Sequence, residues 1–186
     1  MQKKPLFLFV GQTATGKSTI ARQIADIFGF SQVKSYTTRP PRNDKERNGI
    51  SDHIFLTESE FDQIPKQDIV AYTKISGYRY CTTSDVLRSN QIYVIDPNGI
   101  KFLREHPISS EFDMYEIFID VDEEEAKKRY ESRGGADYNV RRAKEDEQFD
   151  RYRAEKSYDL LVINNDLQES VDKVSDFIRK CYSPAE

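Results

Sequence analysis

Gly11, Gly16, Lys17 and Ser18 stand in the spacing G-x-x-x-x-G-K-S. Residues of those types at that spacing can hold a polyphosphate. Backbone N–H groups of such a loop point at an anion, and the positive end of a following helix favours it. Lys17 can reach β and γ phosphates, and the Ser18 hydroxyl can coordinate Mg2+. The alternative is a plain glycine turn carrying a surface lysine. The flanks bear on the choice. Leu6–Val10 is a short apolar run suited to a buried strand, and Ile20, Ala21, Ile24, Ile27 and Phe28 recur at helical spacing before Gly29. A strand, the loop and a helix N-terminus are the context a phosphate-binding loop requires.

A second group lies in Ser35-Tyr-Thr-Thr-Arg39-Pro-Pro-Arg42, inside a polar, basic, proline-broken loop. Guanidinium forks bind phosphate oxygens in pairs. By residue type alone, Arg39 and Arg42 read equally well as surface charges on a loop.

These groups need a scaffold. The chain has 186 residues, enough for one sizeable core with an inserted subdomain. Short strands are expected at 33–36, 54–56, 69–75, 78–82, 92–95, 115–121 and 160–163. Helices are expected at 58–64, 85–89, 98–105, 123–133, 141–156 and 167–182. Strands alternating with helices give a parallel α/β sheet, and the short-strand stretch 36–88 interrupts that rhythm. The charged pair 123–156 suits either a solvated hairpin or a mobile lid over phosphates. The net charge of −4 argues against general binding of nucleic acid or an anionic membrane. The apolar run after Lys3-Lys4 is too short for a signal peptide, and nothing approaches a membrane span. Cys81 and Cys181 are expected as free thiols in a cytoplasmic protein. His53 and His106 do not make a metal cluster.

The phosphate loop together with S-x-T-T-R-x-P-R resembles the guanylate kinase family. The resemblance runs from Leu6 to about Ile178 and includes SGYRYCTT at 76–83, VIDPNG at 94–99, FIDVDEEEAKKRYESRG at 118–134 and YDLLVINND at 158–166. It implies a P-loop NTPase fold in one domain. The core would be 1–35, 89–122 and 157–186, the β-rich acceptor-binding subdomain 36–88, and the helical lid 123–156. It implies that Gly11, Thr13, Ala14, Thr15, Gly16, Lys17, Ser18 and Thr19 bind ATP, with Asn164 near the adenine. Arg39, Arg42 and Tyr80 would bind the acceptor phosphate. Arg133 and Arg142 would be lid arginines, with Arg141 competing for the second place. Lys17, Arg39, Arg133 and Arg142 would then be the catalytic set.

The resemblance fails at four positions. Ala71 stands where the family carries a base-binding glutamate, and alanine cannot accept a hydrogen bond. Only Asp96 remains of a D-x-D at the end of strand 92–96. His53 replaces a tyrosine that helps hold the acceptor phosphate, and Cys81 replaces a glycine. Ser35, Thr82 and Asp96 could still meet the base, and Ser18 and Asp96 could organise Mg2+. The expectation is a kinase that uses ATP and Mg2+ to phosphorylate a nucleoside monophosphate, GMP or dGMP first. Two rivals stay open. One is a kinase of another phosphorylated acceptor, such as a different nucleotide or a ribose bisphosphate. The other is a non-catalytic guanylate-kinase-like interaction module. Nothing in the sequence reports oligomeric state.

Overall fold

A computed structural model describes residues 3–42 and 44–182. Its main sheet has four parallel strands. β1 is Lys4–Val10, and the other three are the chain's sixth to eighth strands: β6 (Ile92–Val94), β7 (Phe112–Asp120) and β8 (Leu160–Ile163). The spatial order is β6-β1-β7-β8. Every residue from Leu6 to Val10 is fully buried, because both faces of the sheet are covered. Leu6, Leu8 and Val10 face one core with Leu103, Phe118 and Phe149. Phe7 and Phe9 face the other, where Ile20 and Ile24 of α1 (Lys17–Phe28) meet Val171, Val174 and Ile178 of the last helix, Leu167–Cys181. The period-2 alternation of one strand thus supplies both cores. It also carries the loop at Gly11 to the carboxyl edge of the sheet, where ligands bind in such folds.

The second sheet is mixed. It contains β2 (Ser35–Thr37), β3 (His53–Phe55), β4 (Ile69–Ile75) and β5 (Tyr78–Thr83), in the order β3-β2-β5-β4. β4 and β5 turn at Ser76-Gly77, both at positive φ (53° and 86°), the two-residue hairpin geometry that matches strand twist. The strand expected at 33–36 is divided between the two sheets. Val33 donates to Ile92 O at 2.8 Å at the edge of the main sheet, while Ser35–Thr37 pairs with β3 and β5.

Four further helices complete the layers: α2 (Asp44–Arg47), α3 (Glu58–Asp62), α4 (Ser84–Arg88) and α5 (Pro97–Glu105). α2 lies where a loop was expected. Asp44 and Glu46 sit in its first turn, where carboxylates suit the positive end of a helix. The charged pair is α6 (Glu123–Ser132) and α7 (Tyr138–Glu155), and α8 is the last helix named above. α7 begins three residues earlier than expected. It is not a solvated hairpin: Glu145, Phe149 and Tyr152 are buried along one face of it.

Candidate active site

Packing sets the shape of the phosphate loop. A Cβ on Gly11 would lie 2.3 Å from the Ile119 carbonyl of β7, and one on Gly16 would lie 2.2 Å from Asn164 Nδ2. Gly16 also has φ +88°, a backbone region that side chains rarely adopt. Thr15 is fully buried and donates its hydroxyl to Gln12 O at 3.0 Å. Asn164 donates to Thr15 O at 2.8 Å and accepts from Ser170 Oγ at 3.1 Å. At 2% exposure it braces the loop from behind. Thr19 lies inside the first turn of α1, where its N–H donates to Gly16 O. Ala14 holds φ 62° at the crest of the loop.

Gly11, Thr13, Lys17 and Ser18 line a cleft between the two sheets. Lys17 Nζ donates to Gln12 O at 2.9 Å. Burial pushes its ammonium down to about 8; Glu145 opposes that shift, while Arg141 and Arg42 add to it. The side chain therefore stands among both signs of charge, with Glu145 favouring its ammonium form and Arg141 and Arg42 opposing it.

The opposite wall comes from the second sheet. Ser35, Arg42, His53 and Tyr80 line it, with Thr73 and Asp96 at the floor. Ser35 and His53 are register partners, and Ser35 Oγ and His53 Nδ1 share a 2.8 Å hydrogen bond. Burial, with Arg39 nearby, pushes the His53 imidazole down to about 4, so the ring is neutral at pH 7. It sits edge-on to Tyr80 with ring centroids 5.5 Å apart. Asp96 Oδ1 caps α5 by accepting from Gly99 N–H at 3.1 Å, and Oδ2 accepts from Thr73 Oγ1 at 2.9 Å. Burial lifts its carboxyl to about 6 against those two bonds.

Four other expected site residues do not line the cleft. Arg39 is 5% exposed, forms a two-pronged pair with Glu46 at 3.0 and 3.2 Å, and stacks over Phe55. Glu46 also accepts from the Arg42 N–H at 2.7 Å, so this pair shapes the loop that presents Arg42. Thr82 is fully buried behind the cleft, and its hydroxyl has no partner among the described residues. Arg133 is exposed at the end of α6, away from the cleft. Arg142 donates to Asp146 at 3.0 Å, whereas Arg141 lines the cleft and donates to Ser76 Oγ at 3.0 Å. The helix turns the two neighbours about 100° apart, so only one can face inward.

Sequence reasoning missed two residues. The Arg129 guanidinium lies 3.8 Å from where a Gly16 Cβ would be, above the loop, held by Glu125 at 2.8 Å. Glu145 reaches the Thr13 N–H at 2.8 Å. The spacing of Glu145, Phe149 and Tyr152 along one helical face was the available signal for an inward-facing glutamate.

The guanylate kinase family model matches residues 2–181. The chain belongs to the guanylate kinase family. Guanylate kinase of Fusobacterium nucleatum is 24% identical over 181 residues, covering 93% of this chain and 95% of the relative. Guanylate kinase of Clostridium tetani is 28% identical over 192 residues, covering 97% and 89%. The crystal structure of guanylate kinase from Anaplasma phagocytophilum has a TM-score of 0.67 at 21% identity, covering 97% of this chain and 88% of that one. That likeness establishes the fold.

Proposed function

We propose that this chain transfers the terminal phosphoryl group of ATP to GMP or dGMP. One observation carries the reading: Lys17 and Arg42 line the same cleft from opposite sheets, and Arg141 enters it from the lid. A donor phosphate site and an acceptor phosphate site within one cleft suit in-line transfer between two phosphates. The acceptor phosphate is already an anion near pH 7, so no dedicated base is needed. Lys17 steadies the β and γ phosphates, Arg42 and Tyr80 hold the acceptor phosphate, and Arg141 neutralises charge on the group in transit. Neutral His53 can offer a hydrogen bond without adding charge.

Mg2+ fits this site. The Ser18 hydroxyl lines the cleft beside Lys17, and magnesium takes few protein ligands when nucleotide phosphates and water supply the rest. When bound, it supplies charge neutralisation on the donor phosphates. With one oxygen on Thr73 and the other capping α5, Asp96 is better placed for the acceptor base than for the metal.

A wider acceptor range is the second reading, and Ala71 favours it. Ala71 is 1% exposed, and its methyl group offers no acceptor for a guanine N–H. The missing bond is worth about 1–3 kcal/mol of discrimination. The deciding experiment is ATP-dependent ADP release with GMP, dGMP, AMP, CMP, UMP, dTMP and ribose phosphates. GMP and dGMP are expected to lead, with AMP closer behind than in a strict guanylate kinase. Turnover of a sugar phosphate alone overturns the nucleotide reading, and ATP binding with no turnover of any acceptor points to an interaction module.

A further inference from the structure

The phosphate loop in this structure already carries an anion, and that anion belongs to the protein. Glu145 of α7 is 4% exposed and lines the cleft. Its Oε2 accepts from the Thr13 N–H at 2.8 Å, and its Oε1 accepts from Arg141 Nε at 2.8 Å. Thr13 follows Gln12, whose carbonyl receives Lys17 Nζ. Lysine in such a loop serves the β and γ phosphates, so the Thr13 N–H lies at the terminal-phosphate end. The adjacent contact is of the same kind: Gln12 Nε2 donates to Asp146 Oδ1 at 2.9 Å. Two successive carboxylates of one helix thus sit on two successive residues of the loop. Arg141 continues the chain of contacts to Ser76, at the hairpin of the second sheet.

A carboxylate and a terminal phosphate cannot share one N–H donor, and two anions in one site repel. We propose that Glu145 is a positioning residue that exchanges partners: without nucleotide it occupies the Thr13 N–H, and a bound terminal phosphate takes that N–H and leaves Glu145 holding Arg141. The proposal rests on reading the loop as the donor site. Binding of a triphosphate would break the Glu145–Thr13 contact between lid helix and loop while Arg141 stays tethered to Glu145 over the cleft. A diphosphate lacks the group that competes.

The test is calorimetric titration of the wild type, Glu145→Gln and Glu145→Ala with MgATP and MgADP, beside acceptor-saturated kinetics. Removing the competing charge is expected to tighten MgATP by roughly three- to tenfold, about 0.7–1.4 kcal/mol, and MgADP by less than twofold. At the same time kcat is expected to fall, because Arg141 loses its anchor. A merely structural glutamate would weaken both nucleotides. Unchanged or weaker MgATP binding overturns the proposal, and so does equal tightening of MgADP. If neither variant folds, the wild-type Thr13 amide resonance decides. It should move much further on saturation with MgATP than with MgADP; an equal movement with both nucleotides overturns the exchange. Failure of the wild type to bind MgATP removes the donor-site reading as well, whereas normal binding with no variant effect removes this proposal alone.

Discussion

The two walls of the cleft are built differently. On the donor wall the two glycines that shape the loop are held by packing. Gly11 presses on β7, Gly16 on Asn164, and Thr15 bonds back to Gln12. On the acceptor wall the polar groups are held by one another: Ser35 by His53 and Asp96 by Thr73, with the Arg39–Glu46 pair behind them shaping the loop of Arg42. A wall set by backbone packing tolerates little change in sequence, because a Cβ has nowhere to go. A wall set by side-chain pairs can exchange members as long as each polar group keeps a partner.

The largest expected effect breaks the donor wall. Lys17→Ala should lower kcat/KM by roughly a hundred- to a thousandfold, the cost of losing one preorganised charge contact. The thermal midpoint should hold, because burial works against the Lys17 charge in the free protein and its removal relieves that cost. Near wild-type turnover in a folded variant would show that the loop is not catalytic.

The next expectation separates two arginines that the sequence motif makes equivalent. Arg42→Ala should raise the acceptor KM by roughly ten- to a hundredfold, the scale of a lost charge-assisted bond of about 1.5–3 kcal/mol, with little change in stability. Arg39→Ala should lower stability first, by about 1–3 kcal/mol, because Glu46 loses its buried partner. Chemical denaturation alongside acceptor kinetics distinguishes them. Equal effects on both axes would erase the contrast drawn between the two residues.

A smaller effect concerns base selection. Thr73→Val frees one oxygen of Asp96 to accept a second base N–H. The guanine-over-adenine ratio of kcat/KM, measured near pH 8 where Asp96 is ionised, should rise roughly two- to fivefold. A ratio that falls would mean the Thr73 hydroxyl itself contacts the base.

The smallest effect is on pH dependence. In the free protein Lys17 titrates at about 8, so it is protonated below that pH and loses its charge above it. The profile of kcat/KM for ATP reports groups of the free enzyme, so it should decline as pH rises through about 8. The kcat profile should stay flat to higher pH, since a bound polyphosphate restores the charge. Glu145→Gln should move the limb to lower pH, because it removes the main group that raises the Lys17 pKa.

The donor loop, its flanking strand and helix, and the parallel character of the main sheet were legible in the sequence. They depend on local rules: a glycine spacing, a fully apolar strand, and a 3.6-residue repeat. Family membership was legible for the same reason, since it rests on contiguous motifs. The tertiary structure decided which polar residues face the cleft. Arg39 and Arg42 look alike in one motif, yet only the folded loop lets Glu46 claim the first. Arg141 and Arg142 are neighbours, and the packing of Phe149 and Tyr152 against the core chose which points inward. Asn164 and Thr82 carry groups that could bind a ligand, but the sheets buried them behind the site. Glu145 was hidden among the acidic residues of a charged helix. Its proximity to Thr13 spans 132 positions of the chain, and no local pattern encodes a contact of that range.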